Sequence, residues 1–242
     1  MSVSTTRNRL LQALAPDDLA RFLPQLERVD VRKGNVLIRQ RELLKFAYFP
    51  EGGLSSSLTT TSDGRKIEVG CFGFEGMVST ATLLGSNQAS DDILVQIGAP
   101  WLRIKTEALI ESCKSSPALH ELLLRFVQIQ ILTLSRSVLA NGAYKLRERL
   151  ARWLLMVHDR VEGDDLPLTH EFLSLMLAVR RAGVTLAIQE VESLGLIRAK
   201  RALLTVVDRE GLIELAGDSY GIPEAEYERL IGPFRGKHPV QR

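Results

Sequence analysis

The chain has 242 residues, with 31 Lys and Arg against 29 Asp and Glu and a formal net charge of +2; 45% of it is hydrophobic and 25% charged. These are ordinary proportions for a globular protein of one large or two modest domains, and they exclude a polycation, so any nucleic-acid surface must be local. Two cysteines, Cys71 and Cys113, exclude a disulfide framework or a four-cysteine cluster within one chain, and they fit a reducing cytoplasm.

His120, His158, His170 and His238 are scattered, so no metal site and no cofactor are expected. No run approaches eighteen apolar residues, and the N-terminus lacks signal-peptide form. Neither a transmembrane helix nor export is therefore expected.

In chain order, residues 6–24 read as short helical pieces, with Pro16, Asp17 and Asp18 suited to a helix start. Residues 27–104 switch to short β-prone runs: 36–38, 46–49, 54–61, 66–72, 93–97 and 101–104. Glycine-containing turns separate them, and Asp63-Gly64 is a hairpin signal. Many short strands at this spacing predict a sandwich or barrel, with Phe72 and Trp101 filling its core. A short helix is expected over 106–111.

Pro117 then opens a long helix, running to about Leu139. Its apolar residues Leu119, Leu122, Leu123, Phe126, Val127, Ile131, Leu134 and Val138 form a band too broad for a single packing partner. This predicts a helix packed on the β domain on one side and on a twin helix on the other. Gly142 marks the expected boundary. Three regions result: 1–116, 117–141 and 142–242.

The last region reads as helix 144–161, an extended approach at Leu168, and helix 170–177 capped by Thr169. A turn at Ala178 to Arg180 leads into a second helix ended by Gly195. Strands 196–198 and 204–207 make a wing, and Asp208 starts a further helix. On the second helix, Val184, Ile188, Val191 and Leu194 are assigned to the core. Arg181, Thr185, Gln189 and Glu192 take the opposite side, with Arg180 at the helix start.

A helix, turn, helix and wing is the arrangement that puts a helix into the DNA major groove. Arginine offers a planar fork for guanine O6 and N7, Thr185 a hydroxyl or methyl, and Gln189 an amide for adenine or backbone. Arg198, Lys200 and Arg201 at the wing, and Lys145, Arg147, Arg149 and Arg152 on the preceding helix, are candidate phosphate contacts. DNA-binding residues are thus Arg180, Arg181, Thr185, Gln189, Lys200 and Arg201.

Residues 168–212, LTHEFLSLMLAVRRAGVTLAIQEVESLGLIRAKRALLTVVDREGL, resemble the C-terminal module of the Crp/Fnr family of bacterial transcription regulators. Gly34, Gly52, Asp63-Gly64 and the stretch 70–76 fit that family's cyclic-nucleotide-binding-like domain more loosely. The resemblance implies an α+β chain: an N-terminal double-stranded β-helix or jelly roll, a long dimerisation helix and a C-terminal winged helix-turn-helix. It implies a cytoplasmic homodimer paired through helix 117–139 on double-stranded DNA, with RNA polymerase a further candidate partner and no membrane partner.

This sequence has Ala178 and Ala202 where the family often has glycine, in the turn and at the wing tip. The turn must accept a Cβ or avoid the left-handed region.

For the sensory domain, the resemblance implies an effector pocket with Glu75, Gly73, Gly76 and Ser90 as candidates. The phosphate-binding arginine of cyclic-nucleotide binders is missing. The matching stretch, residues 85–92, ends on Asp91 and Asp92, which repel a phosphate. The effector is expected to be something other than cyclic AMP.

Both cysteines read as packing residues, and His120 as a surface or interface residue. No HExxH or GxxxxGK[ST] pattern occurs, so an enzyme is not expected. The alternative reading is a degenerate cyclic-nucleotide-binding-like protein that acts through protein contacts without DNA binding. The tail is expected to carry a short helix over 224–232.

Overall fold

The computed structural model describes residues 3–235; His238 and Pro239 lie outside them. Helices α1 (Arg9–Gln12) and α2 (Pro16–Phe22) lead into seven strands: β1 (Glu27–Val31), β2 (Val36–Ile38), β3 (Phe46–Pro50), β4 (Leu54–Thr60), β5 (Lys66–Phe72), β6 (Asp92–Ile97) and β7 (Ala99–Lys105). They form two antiparallel sheets, ordered β1-β7-β3 and β2-β6-β4-β5.

Sheet faces that alternate inward bury Tyr48, Val95 and Trp101 between them. The Trp101 indole N–H is satisfied by Gly52 O at 2.9 Å, so the largest core side chain carries no unpaired donor. The hairpin at Asp63-Gly64 joins β4 to β5 as expected. Strand β1 had no clear sequence signal, because its residues are mostly charged and exposed. It is an edge strand paired only with β7.

Helix α3 (Thr106–Ser115) runs four residues past the expected end. Helix α4 (Pro117–Ala143) starts with Pro117 at its first turn and Ser116 as cap, accepting from Leu119 N–H at 3.2 Å. It continues past the expected end, so Gly142 lies inside its last turn.

The two halves of α4 differ. Leu119, Leu122, Leu123, Phe126 and Ile129 are buried with α1, α2 and α3 in one core, whereas Ile131 is 54% and Val138 73% exposed. By length and composition α4 could cross a membrane. Its first half is instead packed on the roll, and Arg125 bonds to Leu230 O at 3.0 Å.

The C-terminal part comprises α5 (Leu146–His158), β8 (Asp165–Leu166), α6 (His170–Leu177), α7 (Arg181–Ser193), β9 (Ile197–Lys200), β10 (Leu203–Val206), α8 (Arg209–Ala216) and α9 (Ile222–Leu230). The third strand of the wing sheet is β8, ahead of the expected position at Leu168; Leu168 itself is buried just before the Thr169 cap.

This part is not a separate lobe. Leu54, Leu58 and Cys71 of the roll share a core with Trp153, Met176 and Val184. The Trp153 indole donates to Glu68 Oε1 at 3.0 Å, and Ser56 donates to Glu68 Oε2 at 2.7 Å. The chain then returns to the roll. Tyr227 of α9 is fully buried and donates to Glu75 O at 2.7 Å, with Phe234 edge-on to its ring at 5.1 Å.

Candidate nucleic-acid interface and sensory cleft

Thr169 caps α6 by accepting from Phe172 N–H at 3.1 Å. The turn that follows reverses at Ala178, whose φ of 52° and ψ of 44° are left-handed. Ala178 therefore accepts the Cβ in a region that costs an L-residue roughly 1–2 kcal/mol. Arg180 is extended and caps α7, so α7 starts at Arg181.

Val184, Ala187, Ile188 and Val191 bury the inner face of α7. Leu194, expected in the core, is 55% exposed. It is the last residue before the helix unwinds at Gly195 (φ 76°). Gly195 N–H returns to Glu192 O at 2.9 Å and Leu196 N–H to Val191 O at 3.3 Å, the bond pair of a Schellman ending. That ending swings Leu196 into the core in place of Leu194. Glu192 accepts from Ala199 N–H at 2.7 Å, tying helix to wing.

Arg180, Arg181 and Gln189 are exposed, and among the described residues neither arginine has an intrachain ion pair or side-chain hydrogen bond. Lys200 and Arg201 are exposed at the wing tip, beside Ala202 at φ 59°. Thr185 differs. It is part-buried, and its hydroxyl lies 3.1 Å from both Arg181 O and His170 Nδ1, so it is already engaged within the module.

The basic residues of α5 also need correction. Arg152 is buried, donating to Ser219 O at 2.9 Å and Ser137 Oγ at 3.1 Å. Arg149 donates to Leu177 O at 2.6 Å, and Arg147 faces Glu190 at 3.9 Å. Arg149 and Arg152 hold helices together rather than meeting phosphate. Helical periodicity cannot reveal this, since their acceptors lie on other elements.

Residues 148–215 match the model of the Crp-like helix-turn-helix domain. Those residues form a Crp-like helix-turn-helix domain.

Solved structures with this fold include the c-di-GMP responsive global regulator CLP of Xanthomonas campestris, 16% identical over 79% of this chain and 99% of that chain, with a TM-score of 0.64. FixK2 of Bradyrhizobium japonicum is 17% identical over 79% and 98%, with a TM-score of 0.66. A CRP/FNR family transcriptional regulator of Thermus thermophilus is 18% identical over 78% and 98%, with a TM-score of 0.62. No curated protein sequence matches the chain.

Roll and α4 enclose a cleft of about 220 Å³. Glu75 and Ser90 line it, whereas Gly73 and Gly76 do not. A Cβ on Gly76 would stand 2.0 Å from the Phe126 ring, and one on Gly73 would stand 2.8 Å from Arg160 Cβ. These glycines therefore admit close packing of α4 and of the segment after α5.

Glu75 is itself engaged: it is 2% exposed, accepts from Gly73 N–H at 3.1 Å and pairs with Arg160 Nε at 2.8 Å. Arg160 carried no sequence signal, since it lies 85 residues away in the other half of the chain. Asp92, read as repelling phosphate, pairs with Lys66 at 2.8 Å. Burial pushes the Cys71 thiol up to about 12 and the Cys113 thiol up to about 11. Both are thiols with no thiolate character near neutral pH, as expected of packing residues.

Proposed function

We propose that this chain is a homodimeric, sequence-specific DNA-binding transcription regulator whose N-terminal roll responds to a signal other than cyclic AMP. The observation that carries the reading is the pair Arg180 and Arg181: two exposed guanidinium groups at the start of α7, with no partner among the described residues. One fork reading guanine and the other gripping phosphate is the division of labour such a pair supports. Gln189, Lys200 and Arg201 extend the same surface, and salt-dependent binding follows.

Homodimerisation is supported by the exposed Leu124, Ile131, Leu134 and Val138, which recur at helical spacing along one side of α4 as in a coiled-coil seam. Two-fold pairing would set the two recognition helices to successive major grooves, about 34 Å apart.

A non-enzymatic, cytoplasmic role with RNA polymerase as a further partner accords with this reading. CLP is described as c-di-GMP responsive; the cleft here has no unengaged arginine to receive a phosphate diester. The alternative, a protein acting without DNA, leaves Arg180 and Arg181 without a purpose.

The test is selection of bound sequences from a random duplex pool with purified, ligand-free protein. Enrichment of a palindrome is expected, with half-sites about one helical turn apart. No enrichment either without ligand or with cell extract would favour the alternative.

A further inference from the structure

The cleft between roll and α4 has an unusual balance of charge. Three carboxylates line it, Glu75, Asp91 and Glu224, against a single cation, Arg160. That cation is engaged: Nε donates to Glu75 and Nη1 to Met156 O at 2.7 Å. Four of the five lining hydroxyls are engaged as well, Ser57 being the exception among the described residues. Ser79 donates to Phe46 O at 2.9 Å, Thr80 to Gln130 Oε1 at 2.8 Å and Thr133 to Ile129 O at 2.9 Å. Ser90 donates to Asp91 at 2.8 Å, and Glu224 accepts from Gly221 N–H at 2.9 Å.

What remains facing the cavity is largely hydrocarbon and ring: Ile38, Leu44, Ile93, Phe126, Ile129 and Phe234. An anion entering would lose its hydration, meet a net negative wall and find no unpaired cation among the described residues. An apolar molecule meets none of these penalties.

We propose that this cleft binds a small, uncharged, mainly apolar ligand, of a size near that of a bicyclic aromatic. An apolar cavity of about 150 Å³ already holds benzene, and this one is larger. The ligand would touch both halves of the chain at once. Phe126 and Ile129 come from α4, whereas Arg160, Pro223, Glu224 and Phe234 come from the DNA-binding side and its C-terminal segment. This deepens the sensory part of the proposed function and rests on it only for the purpose of the ligand, not for its binding.

The test is calorimetric titration of the full chain, without DNA, with one ring in three charge states: indole, indole-3-acetate and tryptamine. Cyclic AMP is the phosphate control. Indole is expected to bind in the millimolar range or tighter, with a negative heat-capacity change, and the two charged analogues and cyclic AMP at least about tenfold more weakly. Thr133→Phe, which narrows the cleft from α4, is expected to abolish indole binding while the protein still melts cooperatively. Should that variant not fold, Ala81→Leu on the opposite wall serves the same purpose.

Tighter binding of either charged analogue or of cyclic AMP would overturn the ligand class. So would indole binding that survives in the narrowed variants, or no indole binding at all. The duplex selection is read separately, so failure of the ligand class and failure of the DNA-regulator reading are distinguishable.

Discussion

At the residue scale, two positions make contrasting demands. Ala178 holds a left-handed backbone at the helix-turn-helix turn, and glycine would relieve it while raising the entropy of the unfolded chain. Ala178→Gly is expected to stabilise the protein by about 0.5–1 kcal/mol, read as a rise of a few degrees in thermal unfolding. DNA affinity should barely change, since the residue presents no contacting group.

Arg181 is the reverse case, exposed and unengaged. Arg181→Ala is expected to leave the melting temperature unchanged and to remove about 1–3 kcal/mol of discrimination between specific and random duplex. Equal losses on both duplexes, measured in competition titrations, would assign the side chain to the phosphate backbone. The exposure of Arg180 and Arg181 was legible in the sequence, because they stand at the helix start, ahead of its first core residue, Val184. The exposure of Leu194 was not. The same phase put it inward, and only the unwinding at Gly195 turned it out.

At the scale of elements, α4 carries two jobs on one helix. Its first half fills the roll core, and its second half leaves Ile131, Leu134 and Val138 exposed. Burying such a stripe against a twin is worth about 25 cal/mol for each Å² of apolar area removed from water. The double substitution Ile131→Glu with Val138→Glu puts like charges opposite each other across a two-fold seam. It is expected to convert a dimer to monomer in sedimentation velocity with little loss of helix signal. It should also weaken binding to a palindrome far more than to a half-site. A change confined to folding, with no change in mass, would count against the seam.

How the helices around α4 divide its surface was not legible in local pattern. The broad apolar band was visible, but that α9 would cover part of it depends on a segment some hundred residues away (Arg125 to Leu230 O, a separation of 105).

At the scale of the whole molecule, the two halves are docked through Glu68, Trp153, the Arg160–Glu75 pair and the return of Tyr227 and Phe234. Glu68 makes this docking pH-sensitive. Burial against the C-terminal half pushes its carboxyl up to about 7, although Ser56 and Trp153 donate to it and Arg160 and Arg152 lie near.

The folded state thus holds the proton more tightly than the unfolded chain, where an ordinary Glu titrates near 4.3. Its contribution is fully present below that ordinary value and is lost as pH rises through about 7. Glu68→Gln keeps the acceptor for Trp153 and cannot ionise. It is expected to stabilise the protein at pH 8 by on the order of 1 kcal/mol or more, to give a clearly smaller gain at pH 5, and none below about pH 4. Parallel thermal melts at the two pH values check this; an equal effect at both would place the cause in packing instead.

By itself, the sequence determined what local rules govern. Strand and helix followed from periods of two and 3.6, the Thr169 cap from a hydroxyl before an apolar run, the start of α4 from Pro117, and the end of α7 from Gly195. The basic start of α7 followed from Arg180 and Arg181 standing ahead of its first core residue. Each of these depends on residues within about one turn of each other.

Tertiary structure alone decided which charges are spent inside the molecule. Arg152 and Arg149 face carbonyls rather than solvent, Glu75 at the cleft is paired with Arg160, and Gly73 and Gly76 make room for partners from other elements. A charged side chain looks the same in sequence whether its counterpart is solvent, DNA or a group 85 residues away. Only the fold brings that counterpart within hydrogen-bond distance.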